Sequence, residues 1–359
     1  MNRLLSLDFM RGFIMVLLML ESAGLYEPLF EATENGFLGL IFAQFFHHPW
    51  HGLHFWDLIQ PGFMFMAGIA MAYSLHHQEI QGVPWTKSLI KTLKRSGWLF
   101  FWGVLDYAVR KTGLSFELWD VLTQLSVTTL ITFLIFRWNY LHQILFSLGL
   151  LLLTEILYRY THIPNFDQPF TDQHNFGNYI DLVLMNKINK GGWVAINCIP
   201  TAVHTIAGAM VGKIFLHRDK PINLLLWGSL ACLLLGFGLD LLEITPIIKR
   251  IATSSFTLVS LGYCLLGIAF CYWWIDLKNH KKNVDFFTIV GMNSLFIYLF
   301  FEIVGHRWFN GYIEQITTGL FLPFRLSIIP NQIVSALVIF GLEWGMCYFL
   351  YRKKIFFRL

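Results

Sequence analysis

The sequence predicts an all-α, polytopic membrane protein, and three observations carry that prediction. Of its 359 residues, 56% are hydrophobic and 13% charged, where a soluble domain has roughly 25% charged. Apolar stretches of about 20 residues, enough to cross a bilayer core as a helix, recur along the whole chain. They run apolar without the alternation of strands, which disfavours an outer-membrane barrel. The same composition excludes a soluble enzyme and a disordered chain. No heptad, low-complexity tract or composition break divides the sequence, so residues 1–359 read as one transmembrane domain.

Ten spans are expected, near residues 9–28, 55–76, 96–112, 119–137, 140–158, 195–216, 222–243, 254–276, 285–304 and 331–351. With the N-terminus inside, 17 of the 26 Lys and Arg fall in inner segments and 9 in outer ones. The positive-inside rule then places both termini in the cytoplasm. Three outer segments are long, at 29–54, 159–194 and 305–330, and their aromatic and Gly content suggests packed lids. The net charge of +4 is too small and scattered for nucleic acid. Cys198, Cys232, Cys264, Cys271 and Cys347 fall singly in apolar stretches, as small core residues do, with no metal-ligand spacing. Gly208-x-x-x-Gly212 predicts a close helix contact.

Ionisable groups inside spans need partners or a wet cavity. Glu21, Asp57, Asp106, Glu155, His204, Asp240, Glu243, Glu302 and Glu343 are such groups. The densest polar cluster is FFHHPWHGLHFWDLIQPGFMFMAG, where His47, His48, Trp50, His51, His54 and Asp57 stand at the outer entrance to the second span. None of its spacings is a zinc pattern of the HExxH type, so no metal is expected. An imidazole held by a carboxylate is what general base catalysis near neutral pH requires, and interfacial His and Trp anchoring is the competing reading. A second constellation is IIKRIATSSF. Its Lys249, Arg250, Thr253, Ser254 and Ser255 either bind a sugar, carboxylate or phosphate or simply cap the eighth span. A third is GMNSLFIYLFFE, with Asn293, Ser294, Tyr298 and Glu302. There Asn293 also fits an interhelical hydrogen bond, and Asn293 and Glu302 point to different sides of a regular helix.

In this order the three constellations resemble the heparan-α-glucosaminide N-acetyltransferase family of membrane acyltransferases, in the form of its bacterial members. RLLSLDFMRG is similar to the family's R-L-x-S-x-D-x-x-R-G through Arg3, Ser6, Asp8, Arg11 and Gly12. The histidine cluster is similar to H-x-x-W-x-G-L-x-x-x-D-L-x-x-P-x-F-x-F-x-x-G through His47, Trp50, Gly52, Leu53, Asp57, Pro61, Phe63 and Gly68. PIIKRIATSSF, GMNSLFIY and the basic YRKKIFFRL end resemble later motifs. The chain departs from the family pattern in three places. Glu21-Ser22 stands where the family commonly has Asn, Ala252 where it has Trp, and Thr123-Gln124 where it has Gln-Arg.

The resemblance implies transfer of an acetyl group from cytosolic acetyl-CoA, with no metal, to an amino sugar or glycan on the extracytoplasmic face of the inner membrane. His47 would be the catalytic residue, as base or nucleophile, with Asp57 supporting the motif. Arg11, Glu21, His48, Trp50, His51, Lys249, Ser254, Asn293 and Glu302 would contribute to acceptor or acetyl-CoA binding. Lys87, Lys91, Lys94 and Arg95 would face CoA phosphates, or would simply be positive-inside charge. Membrane lipid is the surrounding partner, and a homodimer is compatible with the sequence. The rival from another class is an amino-sugar permease or substrate-binding membrane protein, and an inactive regulatory protein is a third reading.

Overall fold

A computed structural model describes residues 4–110, 113–217, 221–324 and 327–357. Arg3 of the opening motif, and Lys111, Arg218, Lys220, Arg325 and Arg358 of the charge count, lie outside the described residues. Among the described residues the regular structure is helical, apart from a two-residue antiparallel pair, Val109–Arg110 with Gly113–Leu114. In order the helices are α1 (Leu5–Ser22), α2 (Tyr26–Thr33), α3 (Phe37–Ala43), α4 (Ile59–Ile80), α5 (Trp85–Ala108), α6 (Val121–Ile135), α7 (Tyr140–Tyr160) and α8 (Phe176–Met185). There follow α9 (Cys198–His217), α10 (Ile222–Leu241), α11 (Ser254–Cys271), α12 (Val284–Met292), α13 (Ser294–Phe300), α14 (Asn310–Phe321) and α15 (Ile328–Arg352).

Six stretches have the length and apolarity to cross a membrane: Phe55–Ile80, Tyr140–Tyr160, Ala195–His217, Ile222–Leu241, Ser254–Leu277 and Ile328–Arg352. Two bent pairs, α1 with α2 (71°) and α12 with Ser294–Phe321 (74°), raise the number to eight if each pair is one span. The expected ten is therefore corrected, for two physical reasons. Residues 96–112 are mostly the second half of α5, whose first half carries Lys87, Lys91, Lys94 and Arg95. Residues 119–137 contain α6, whose 15 residues reach about 22 Å at 1.5 Å each, short of a hydrocarbon core of about 30 Å. The third outer segment, 305–330, is also largely helix, because the chain continues in helical form from Ser294 to Phe321.

The chain divides into two compact units. One contains His48–Leu53 and Asp57–Ala269, and within it α4 and α9 form the centre. Their backbones approach through glycine. A Cβ on Gly68 would lie 2.0 Å from the carbonyl oxygen of Thr205, and one on Gly208 would lie 2.0 Å from that of Phe65. Gly212 meets Ala72 in the same way, so the Gly208-x-x-x-Gly212 pair forms the close contact its spacing predicts. Burial separates the roles of the spans. In the hydropathic windows of α7 and α10 only 17% of residues are buried, against 61% for α4 and 67% for α9. The outer faces of α7 and α10 expose Leu141, Leu145, Leu152, Leu234 and Leu235, as lipid-facing helices do. In α6, by contrast, Thr123, Gln124, Ser126, Thr128, Thr129 and Thr132 are buried, and Gln124 accepts a 2.7 Å hydrogen bond from Gln60.

Gly68→Ala is expected to cost about 1–3 kcal/mol, because the added methyl can be accommodated only by prising α4 from α9. Thermal unfolding of detergent-purified protein measures it. Gly149→Ala, inside α7 with open space around its Cβ position, is the control and should leave the transition unchanged or raise it slightly, since alanine favours the helix by about 0.5–1 kcal/mol.

The other unit contains the described residues of 4–47, 54–56 and 270–357. There α1 crosses α12 at glycine: a Cβ on Gly12 would lie 1.9 Å from the carbonyl oxygen of Phe287. The carboxylate of Asp276 caps the start of α1, accepting from the backbone N–H groups of Leu5 and Ser6 at 3.2 Å each. Tyr26, Phe45, Phe55 and Trp56 form an aromatic cluster with centroid separations of 4.6 Å for Tyr26–Phe45 and 5.4 Å for Tyr26–Trp56.

Candidate functional site

In the first of these units His48–Leu53 and Asp57, part of the histidine motif, meet the IIKRIATSSF motif. The chain at 48–53 runs antiparallel to the segment after Pro246. Gly52 N–H donates to the carbonyl of Ile247 at 2.9 Å, and His51 forms a bridge with Ile248. Gly52 has φ +142°, and a Cβ there would lie 2.5 Å from the His48 imidazole, so only glycine fits. Asp57, in a 3-10 turn just before α4, is 1% exposed. Its carboxylate accepts from the His48 backbone N–H at 3.2 Å and lies 3.6 Å from the Lys249 ammonium. Lys249, itself buried, also sits over the Trp193 ring at 5.2 Å. Burial pushes its pKa down to about 8, against the pull of Asp57, which favours the charged form.

The segment 246–255 is held by its own hydroxyls. Thr253 Oγ1 accepts from Ile248 N–H at 3.0 Å and donates to the Pro246 carbonyl at 2.7 Å, and Ser255 Oγ donates to the same carbonyl at 2.7 Å. Thr253 and Ser255 therefore build the turn that leads into α11. Ser254 Oγ is different: it is buried, with no hydrogen-bond partner among the described residues. Ala252, where the family pattern has Trp, takes φ +47° inside this turn.

His51 Nε2 lies 2.7 Å from Asp240 Oδ1, and that oxygen also accepts the Ile247 backbone N–H at 2.9 Å. Asp240 was legible in the sequence as an intramembrane acid, but its pairing with His51 was not. Trp50 donates its indole N–H to the Phe170 carbonyl at 2.8 Å and packs against Gly192, which has φ +77°. Residues of the 159–194 segment thus back the motif loop. A Cβ on Gly192 would collide with Trp50 at 2.7 Å. Sequence reasoning missed Trp193, Gly192 and Asp181, for which the polar, glycine-bearing character of that segment was the available signal.

Asp181 anchors the segment from α8. Its carboxylate accepts from the Trp119 indole N–H and the Ala195 backbone N–H, both at 2.9 Å. Burial nevertheless pushes its pKa up to about 7, against those two hydrogen bonds, which lower it. In the folded protein Asp181 holds its proton to higher pH than in the unfolded chain. Its contribution to stability is therefore full below the model-peptide value of 3.8 and is lost as pH rises through about 7. Unfolding temperatures taken between pH 4 and pH 8 should fall more steeply with pH for the wild type than for Asp181→Asn. Parallel curves would refute this assignment.

The second unit holds Arg11, Glu21, His47, Asn293 and Glu302. His47 is exposed, in an irregular segment that follows α3. Arg11 is half-buried on α1, and Glu21 lies in that helix's last turn. Asn293 is fully buried at the break between α12 and α13. Its Nδ2 donates to the Ile355 carbonyl at 3.2 Å, and its Oδ1 accepts from Phe357 N–H at 3.1 Å. It therefore fastens the segment after α15 to the break in the helix, where an interhelical hydrogen bond was the simplest expectation. Glu302, half-buried, lies in a π-helical stretch, Phe301–Phe309, so the regular-helix geometry assumed from the sequence does not apply to it.

Several other intramembrane groups have structural partners. Glu155 pairs with Arg159 at 2.9 Å and accepts from Thr245, and His204 lies 2.8 Å from Ser260 Oγ. Among the described residues, no three His, Cys, Asp or Glu side chains are placed to hold a metal ion.

The two motifs that converge around Lys249 and Asp57 are two of those that carry the family resemblance. The chain is similar to heparan-alpha-glucosaminide N-acetyltransferase of Homo sapiens. The two are 25% identical over 177 residues, which is 46% of this chain and 24% of the human protein. The match thus spans about a quarter of the relative's length. No family model matches the sequence.

Proposed function

We propose that the protein is a membrane acyltransferase that moves an acetyl group from acetyl-CoA to an amino sugar or glycan, within the heparan-α-glucosaminide N-acetyltransferase family. The observation that supports this best is the convergence of two sequence-distant stretches, 48–53 with Asp57 and 246–255, into one hydrogen-bonded platform around the buried Lys249–Asp57 pair. In this reading the His47 imidazole takes a proton from the attacking amine. The new N–C bond forms as the C–S bond breaks, and the proton passes to the departing CoA thiolate. Asp57 and Lys249 hold the loop rather than the reacting atoms. His51 is the second candidate base, favoured by its 2.7 Å approach to Asp240, the imidazole–carboxylate arrangement that such catalysis uses. Arg11 and the basic first half of α5 would receive CoA phosphates from the cytoplasmic side, with both termini cytoplasmic and the protein in the inner membrane.

The test is acetyl transfer from radiolabelled acetyl-CoA to amino sugars by purified protein in detergent. Transfer supports the reading. Uptake of free amino sugar into proteoliposomes without acetyl-CoA, and with no transfer, would replace the enzyme with the permease.

A further inference from the structure

We propose that the segment at the end of α15, residues 352–357, docks on the anionic headgroups of a lipid leaflet. The helix is long and apolar enough to cross a membrane and ends at Arg352, so the residues that follow stand at a membrane surface. The chain turns there instead of running on along the helix axis. The N–H groups of Lys353, Lys354 and Ile355 donate to the carbonyls of Phe349, Tyr351 and Leu350 at 3.0, 3.0 and 2.9 Å. Lys354 takes φ +56°, the left-handed conformation that closes many helices.

Asn293 then fixes the course of the segment. Its amide donates to the Ile355 carbonyl at 3.2 Å and accepts from the Phe357 N–H at 3.1 Å, so one buried side chain holds the backbone on both sides of Phe356. The clamp grips main chain only and leaves the side chains outside. Ile355 is 53% exposed and Phe357 43%, with Phe356 half-buried between them. Arg352, Lys353 and Lys354 are exposed beside these two apolar groups. Arg352 donates to the Tyr348 hydroxyl at 3.2 Å on its own helix, whereas among the described residues no carboxylate pairs with Lys353 or Lys354.

Bases and large apolar side chains displayed together at the end of a span match the anionic face of a bilayer. Ile355 and Phe357 enter the boundary between headgroups and acyl chains, and the lysines meet lipid phosphates. The bases alone would be explained by the positive-inside bias. The clamp is not, because in water it would hold apolar surface in the one medium that disfavours it. An acidic soluble protein would match the charge, but the apolar layer that takes Ile355 and Phe357 is already present where α15 ends. The site uses none of the residues given to acetyl transfer and stands whether or not that reaction occurs.

The test is photolabelling of the full chain in phosphatidylcholine nanodiscs, followed by peptide mapping. The discs are doped with phosphatidylglycerol or with phosphatidylcholine, each carrying a diazirine high on one acyl chain. Residues 352–357 are expected to take roughly tenfold more label from the phosphatidylglycerol probe, with the excess shrinking as salt is raised. Lys353→Gln combined with Lys354→Gln, both exposed positions, should remove most of that excess. Ile355→Ser combined with Phe357→Ser should lower labelling by both probes roughly threefold. Equal labelling by the two probes, an excess that survives in the Gln variant, or no label on the segment, as expected if it stands in water to meet a soluble protein, would overturn the proposal. Neither acetyl-CoA nor a sugar is present in this assay, so its failure and a failure of acetyl transfer are separate results.

Discussion

Alanine in place of His47 is expected to lower acetyl transfer about 10²–10⁴-fold, the usual contribution of a positioned acid–base group. The side chain is exposed and lies outside the helices, and thermal unfolding of the variant is measured beside its turnover. That separation makes the measurement decisive: a loss of turnover with an unchanged melting transition locates the defect in chemistry. His51→Ala is the informative partner. Its ring is tied to Asp240 at 2.7 Å, in a loop that also carries the bridge to Ile248. If His47→Ala keeps wild-type turnover while His51→Ala loses it, the base is His51 and the assignment from the family motif is wrong for this chain. If both variants keep it, neither imidazole is the base.

Lys249→Met should be the most destabilising of the polar substitutions, by about 3–5 kcal/mol, because it strands the Asp57 carboxylate in a site that is 1% exposed. The loss would come from the unpaired charge more than from the lost attraction, so a second change should relieve it. Asp57→Asn added to Lys249→Met keeps an acceptor for the His48 N–H while removing the charge, and is expected to recover most of the stability. Denaturation of the four species in one detergent completes the cycle. A Lys249→Met protein as stable as wild type would show that the pair does not hold the loop. The pH dependence has a defined sign. Burial lowers Lys249 from 10.5 to about 8, so between those values the folded protein binds fewer protons than the unfolded chain. Its contribution to stability therefore rises with pH across that window, and Lys249→Met should lack the rise.

Much of the site was legible one motif at a time. The histidine cluster was visible as density of polar groups at a span entrance, and Lys249 to Ser255 as bases and hydroxyls ahead of an apolar run. Their convergence was not visible, because nothing local in either motif encodes an antiparallel bridge between residues 51 and 248. The division of labour inside 253–255 was hidden too: two of the three hydroxyls turn back to Pro246 and only Ser254 remains without a partner. Asn293 shows the converse error. Its polarity inside an apolar run was read as a link between helices, whereas it marks a break in the run and binds the backbone near the C-terminus.

By itself the sequence determined that this chain is helical and apolar enough for lipid, and that Gly208-x-x-x-Gly212 makes a close helix contact, though not with which helix. These follow from composition, run length and spacing, which are properties of a line. Tertiary structure decided which apolar runs are long enough to span, since that depends on where each helix begins and breaks. It also decided which polar groups meet. His51 and Asp240 are 189 positions apart, and hydrogen bonds and ion pairs act over a few ångströms of space whatever the separation along the chain.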